Sequence, residues 1–369
     1  MGLSFLILKW IIACYQNGGG SKWGLSCIVA GCFSRNSKEK DCMGKETSQS
    51  KTLFLLFKDA LKLSFDLFKI IVPVVITVKI LQELGLIQYL AMPLAPFMRL
   101  VGLPAEMGLV WATAILNNLY GAVVVLLSLV KDTPINTAQT TVLCTMMLVA
   151  HNLVIELKIA HSSGPRLTFQ TLSRLVSALV LGWLLHLFYS RSGLLQQPVS
   201  IVLKPEPGST VQGESWVSWA VGEAQNLLSI FFIILGLFLL MHLLKKFKII
   251  DAMNRALRPV LKIMGIGPEA SAVTVIGLTL GIAYGGGLII HEARTGHIPK
   301  RDVFYSLTFM GLCHALIEDT LLMVMVGGHI SGLLFARIAF SLAAVSLIVK
   351  ASALLPETFG DRFLWGEPR

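Results

Sequence analysis

The sequence predicts an all-α polytopic membrane protein of two inverted repeats, each with about three transmembrane helices, an amphipathic helix and a re-entrant hairpin. Composition, a set of repeated landmarks and the placement of basic residues carry that prediction. Of 369 residues, 54% are hydrophobic and 14% charged, against roughly a quarter charged in soluble domains. Mean hydropathy is +0.72. Apolar runs near Leu67–Leu81, Leu172–Phe188, Trp219–Leu244 and Ile330–Val349 approach or exceed the roughly 20 residues a spanning helix needs. A soluble chain has no way to bury so much apolar surface.

The net charge of +10 fits basic loops on one membrane face and attraction to anionic lipid. Nucleic-acid binding needs a basic face on a polar domain, and no polar domain of useful size exists. Four of the six cysteines (Cys14, Cys27, Cys32, Cys42) precede Met43. Cys144 and Cys313 sit in apolar segments, where free cysteine behaves as a small hydrophobe. No disulfide framework or zinc-type CxxC pair is present.

Residues 1–42 do not match the rest of the chain. Their two apolar runs are short, and Val29-Ala30-Gly31-Cys32 is a chance likeness to a lipoprotein cleavage box. Translation is expected to start at Met43, with the earlier residues an upstream artefact or a disordered extension.

The remainder reads as one unit written twice, over residues 53–190 and 217–350, with a polar linker at 191–216 and a tail at 351–369. Pro96 matches Pro259 and His151 matches His314 at an offset of 163 residues; Pro104 matches Pro268 and Tyr120-Gly121 matches Tyr284-Gly285 at 164. Each unit closes with an apolar helix beginning near an arginine, Arg174 or Arg337. In the second unit Lys248, Asp251, Arg255, Arg258 and Lys262 recur at helical spacing opposite Phe247, Ile250, Leu257, Leu261 and Met264. That is the pattern of a helix lying in the headgroup plane.

A Gly-containing apolar segment comes next in each unit, Ala105–Val130 and Glu269–Ile290. Charge decides whether it crosses or returns. If it returns, Lys51–Lys62, Lys158–Arg174, the basic residues of Lys245–Lys262 and Arg294–Arg301 all fall inside. Segments poor in Lys and Arg then fall outside: Gln82–Leu103, Lys131–Asn136, the linker and Gly327–Gly332. A full crossing scatters the basic loops, so the positive-inside rule favours hairpins. The location expected is the bacterial inner (plasma) membrane.

Two Pro-anchored amphipathic helices, two Gly-containing hairpins (Asn117-Asn118-Leu119-Tyr120-Gly121 and Ala283-Tyr284-Gly285-Gly286-Gly287) and two His-bearing helices resemble the nucleoside recognition, or Gate, domain. That family includes spore maturation proteins A and B and the Gate regions of ferrous iron transport protein B, and is distantly similar to concentrative nucleoside transporters. The resemblance covers roughly residues 53–350. It implies a transporter-like protein for a small polar solute such as a nucleoside. No GxxxxGK[ST] phosphate loop occurs, so energy has to come from an ion gradient or a partner protein.

Ionisable groups at membrane depth cost at least about 2.5–3.5 kcal/mol each and face a partner or water. One continuous helix is expected over Val303–Val326, placing His314, Glu318 and Asp319 near its middle, with His314 and Glu318 on one face. In the first unit His151, Asn152 and Glu156 sit similarly, and inversion brings the two sets together at a polar-solute or cation site. Interhelical hydrogen bonding is the plainer account of the same residues. Asn117, Asn118 and Tyr120 are expected at one hairpin tip, and Tyr284, Gly285 and Gly286 at the other; the glycines also suit close helix packing. His291-Glu292-Ala293-Arg294-Thr295 lacks the second histidine of a zinc protease and reads as a loop. No enzyme signature replaces it and no cofactor is called for beyond a coupling ion. The partners expected are the bilayer, a small polar solute, and a second copy or a membrane protein. Three functions are carried forward in order: transporter, non-transporting scaffold, and a divalent-metal (ferrous iron) pathway through His151, Glu156, His314, Glu318 and Asp319.

Overall fold

The computed structural model describes residues 49–130, 132–201 and 216–368. The start at Met43, the residues before it and most of the linker lie outside the described residues. The first half runs α1 (Gln49–Glu83), α2 (Ile87–Ala91), a 3-10 turn (Met92–Leu94), α3 (Ala95–Leu100), α4 (Met107–Leu116), α5 (Leu119–Leu129), α6 (Thr137–Val149), α7 (Leu153–Ser162) and α8 (Leu167–Ser192). The second runs α9 (Trp216–Lys246), α10 (Ile249–Ile263), α11 (Pro268–Leu280), α12 (Ile282–Thr295), α13 (Lys300–Cys313), α14 (Glu318–Met325), a π turn (Ser331–Ala336), α15 (Arg337–Ala353) and a tail helix α16 (Glu357–Phe363). The chain is an all-α polytopic membrane protein.

Local chemistry accounts for most boundaries. Helix α1 ends at Gly85 in the left-handed region, φ +63°, the usual glycine stop. Pro93 and Pro96 each sit in the first turn of a new piece, because proline fixes φ and lacks the donor that a continuing helix needs. The first amphipathic segment is therefore broken into three short pieces, while α10 continues through Pro259. In α10 Arg255, Arg258 and Lys262 are exposed and Leu261 and Met264 are buried, as the charge spacing predicts.

Helices α4 and α5, of 10 and 11 residues, pack against each other, and so do α11 and α12, of 13 and 14 residues. At 1.5 Å per residue each is roughly 15–21 Å long, too short to cross a hydrocarbon core of about 30 Å alone. Both segments are helical hairpins. Among the described residues five stretches are long and apolar enough to span: Thr137–Ser162, Leu167–Ser192, Ala220–Leu237, Lys300–Met325 and Ser331–Ala353. Helix α1 carries a shorter apolar stretch, Ile71–Leu81.

The spans differ in burial. Within Thr137–Ser162 and Lys300–Met325, 67% and 72% of the most apolar stretch is buried, against 24–28% in the other three. These two spans form the centre and the rest surround them. Outward residues of α8 (Leu172, Val176, Val180 and Trp183) recur at helical spacing and stay exposed, an apolar stripe suited to lipid. The central spans run antiparallel. The backbone N–H of His329 donates to Thr141 Oγ1 at 2.9 Å, and further along the imidazoles of His151 and His314 meet at 3.2 Å.

Each end of the bundle gathers a set of loops. At one end Thr137 and Ala138 donate to the carbonyls of Gln197 and Leu195, and Gly327 packs against Val199 and Ser200. At the other the tail ties two basic loops together: Arg166 donates to the Asp361 carbonyl at 2.7 Å, Arg301 pairs with Glu357 at 3.0 Å and Lys300 pairs with Glu367. Trp365 stacks edge-on against Phe304 at 5.4 Å between centroids. The segment His291–Thr295, expected as a loop, is instead the last turn of α12.

Gly332 lets the start of the last span approach α6 closely. A Cβ there would lie 2.5 Å from Thr141 Cγ2, and a β-branched side chain held in a helix cannot swing away. Gly332→Ala is expected to cost about 1–3 kcal/mol. Gly236→Ala, in a helix and with nothing within 4 Å, should instead stabilise by up to about 1 kcal/mol. Thermal unfolding of both variants in detergent measures the contrast.

Candidate functional site

Both central spans are interrupted at the same place. Helix α6 ends at Val149 and α7 begins at Leu153; α13 ends at Cys313 and α14 begins at Glu318. The continuous helix expected over Val303–Val326 is therefore corrected to two helices with an extended His314 between them. Each break contains one residue in the left-handed region, Asn152 (φ +50°) and Ala315 (φ +47°). Asparagine tolerates that conformation, whereas alanine is strained there.

Breaking a helix frees carbonyls that hydrocarbon cannot satisfy. Two buried arginines take them. Arg174 donates from Nε to the Val149 carbonyl at 3.0 Å and from Nη2 to the His151 carbonyl at 2.9 Å. Arg337 donates from Nε to the Leu312 carbonyl at 3.2 Å and from Nη2 to the His314 carbonyl at 2.6 Å. The remaining nitrogen differs between the two. Arg174 Nη1 pairs with Glu156 Oε2 at 2.5 Å, whereas Arg337 Nη1 has no hydrogen-bond partner among the described residues. Asp319 lies within electrostatic reach of Arg337. Gly311 leaves the room through which the Arg174 side chain passes, since a Cβ there would meet Arg174 Cδ at 3.3 Å.

The breaks turn their histidines toward each other. His151 Nδ1 lies 3.1 Å from the Met147 carbonyl and His314 Nδ1 lies 2.8 Å from the Met310 carbonyl. The two Nε2 atoms face one another at 3.2 Å. Glu156 Oε1 is 3.1 Å from His314 Nε2 and 3.7 Å from His151 Nε2, and Asp319 Oδ2 is 3.5 Å from His151 Nε2. His151, Glu156 and His314 are buried and Asp319 half-buried. Each histidine thus meets the carboxylate of the opposite half.

The hairpins are tied to the same breaks. The backbone N–H of Asn152 donates to the Ala114 carbonyl at 2.8 Å, and that of Leu316 donates to the Leu278 carbonyl at 3.1 Å. At the first tip Asn118 caps α5, its Oδ1 accepting from the Gly121 N–H at 2.8 Å, and Asn118 Nδ2 donates to Asn117 Oδ1 at 3.1 Å. Asn117 Nδ2 is buried without a hydrogen-bond partner among the described residues. Tyr120 Oη reaches Glu318 Oε1 at 3.4 Å.

Several sequence expectations need correcting. Glu318 does not share a face with His314; the break between them sends Glu318 to Tyr120 and His314 to Glu156. Asn152 joins the break through its backbone conformation and N–H. The second hairpin turns at Gly281, φ +91° and ψ +158°, a conformation open essentially to glycine alone. Tyr284, Gly285 and Gly286 lie within the first turns of α12 and not at the tip. Arg174 and Arg337 are the site residues that sequence reasoning passed over. The signal was present: each stands 23 residues after its histidine.

Arg337→Lys tests the anchoring role. An ammonium replaces a planar fork and cannot hold two carbonyls in the same geometry, and each charge-assisted hydrogen bond is worth about 1.5–3 kcal/mol. The variant is expected to lose roughly that amount in thermal unfolding while keeping wild-type helicity by circular dichroism.

The Gate family, described as nucleoside recognition, matches residues 64–161 and 227–346. A curated relative, "Uncharacterized membrane protein YvoD" of Bacillus subtilis (strain 168), is 27% identical over 280 residues, covering 74% of this chain and 86% of the relative. No solved structure matches. The family match takes in both hairpins, both helix breaks and Arg337, and Arg174 lies 13 residues beyond its first region: this chain belongs to the Gate (nucleoside recognition) family of membrane proteins.

Proposed function

We propose that the protein moves or gates a small polar solute, such as a nucleoside, across the bacterial inner membrane, and that its halves act as inverted repeats around the paired helix breaks. The observation that carries this reading is the meeting of two antiparallel, discontinuous spans at a cluster of ionisable side chains. Broken helices at membrane depth are the usual construction of a transport site, because their ends present free backbone groups and their hinges permit rocking. A purely structural core has no need of three carboxylates and two histidines at that depth.

The cluster and the hairpin tip would divide the work. The histidine pair is too close to admit a nucleoside between the rings, so it suits a gate or an ion-coupling centre. The tip offers what a polar solute binds: the Asn117 Nδ2 group, without a hydrogen-bond partner among the described residues, Asn118, and the Tyr120 hydroxyl linked to Glu318. Through that link, a solute that displaces Tyr120 would also change the surroundings of the break.

Purified protein in liposomes is expected to show solute-dependent counterflow with a labelled nucleoside or nucleobase. Asn117→Ala and Glu318→Gln should reduce that flux at least 10-fold while leaving the unfolding temperature within a few degrees. A folded, reconstituted protein that moves no member of a broad panel favours the scaffold reading.

A further inference from the structure

We propose that His151, His314 and Glu156, with Asp319 as a fourth group, form a binding site for one divalent first-row transition-metal ion. Hydrogen positions decide what the cluster can hold. Each Nδ1 faces a backbone carbonyl, Met147 for His151 and Met310 for His314. A carbonyl only accepts, so in the neutral form of either ring the hydrogen sits on Nδ1 and the Nε2 atom presents a lone pair. Those lone pairs point at each other across 3.2 Å. Glu156 Oε1 and Asp319 Oδ2 come to the same two nitrogens at 3.1 and 3.5 Å. With both rings neutral, three electron-pair donors, the two Nε2 atoms and Glu156 Oε1, converge with no hydrogen among them, and Asp319 Oδ2 stands beside His151. One proton added to either Nε2 answers a single contact, while a cation at the centre answers all of them.

The spacing suits a metal of ordinary bond length. Ligands about 2.0–2.1 Å from a tetrahedral centre stand roughly 3.3–3.4 Å apart, and the imidazole–imidazole and imidazole–carboxylate distances here run from 3.1 to 3.7 Å. One ligand atom from each of His151, Glu156 and His314 lies within 4.8 Å of the others. The surroundings are those of a supported site. Both imidazoles donate their far N–H to carbonyls, and Arg174 occupies Glu156 Oε2, leaving Oε1 turned to the histidines. Such outer partners fix ring orientation and carboxylate direction at metal centres. Two imidazoles with carboxylate favour zinc, iron, cobalt, nickel or manganese over magnesium or calcium.

The test uses full-length protein, purified in detergent, stripped with a chelator and titrated with cobalt(II). The expected result is one cobalt(II) per chain, with the visible absorption of a low-coordinate site that zinc displaces. His151→Gln and His314→Gln should each weaken binding more than about 100-fold and Asp319→Asn about 10-fold, while His297→Gln, at an exposed surface histidine, leaves it unchanged. Should the core variants not fold, X-ray absorption on the wild-type complex decides, with two imidazoles in the metal's first coordination sphere expected. A folded wild type that binds no cobalt(II), binding that survives both histidine variants, or a metal with fewer than two imidazoles overturns the proposal. The inference uses the same cluster as the transport reading but fails separately from it. Solute flux in a folded protein that binds no cobalt(II) would overturn the metal site alone, and a bound metal without flux would overturn only transport.

Discussion

Everything at the centre of this protein depends on satisfying carbonyls that two broken helices release inside a membrane. Each unpaired backbone group in hydrocarbon costs several kcal/mol, so a discontinuous span persists only with dedicated donors. Arg174 and Arg337 are those donors, each bridging the carbonyl ahead of its break and the carbonyl of the histidine within it. A guanidinium suits the task because its donors are planar, numerous and permanently charged. Its own charge then requires company, which Glu156 supplies at 2.5 Å in the first half.

That constraint organises the rest of the centre. Once the carbonyls are held, the backbone can turn through Asn152 and Ala315, and the turns aim His151 and His314 at each other. The break residues also donate to Ala114 and Leu278, near the C-terminal ends of the first hairpin helices. A shift in either span is thereby felt at its hairpin. The two halves are alike in this plan and unlike in detail: Arg174 has a close carboxylate and Arg337 does not, the first tip is an asparagine pair and the second a glycine.

Much of this was legible in the sequence. The hydropathy, the near-constant offset between landmarks and the charge pattern indicated spans, hairpins and amphipathic helices. The proximity of His151, Glu156, His314 and Asp319 came from supposing inversion. What was not legible was backbone geometry that periodicity hides. Val303–Val326 has an unbroken apolar pattern, with no glycine or proline between His314 and Glu318, so nothing local announced the break. Its cause lies 23 residues downstream in Arg337, a tertiary contact. The tip at Gly281 was missed for the opposite reason: three consecutive glycines at Gly285–Gly287 offered a stronger local signal that α12 overrides.

The most direct test of the account is a double-mutant cycle on Arg174 and Glu156, read by reversible unfolding in detergent. Arg174→Met strands a buried carboxylate and two carbonyls; adding Glu156→Gln removes the stranded charge. The account predicts that the double variant is more stable than Arg174→Met alone, with a coupling of about 1–3 kcal/mol between the two sites. Additive losses, with the double variant the least stable of the set, would contradict it.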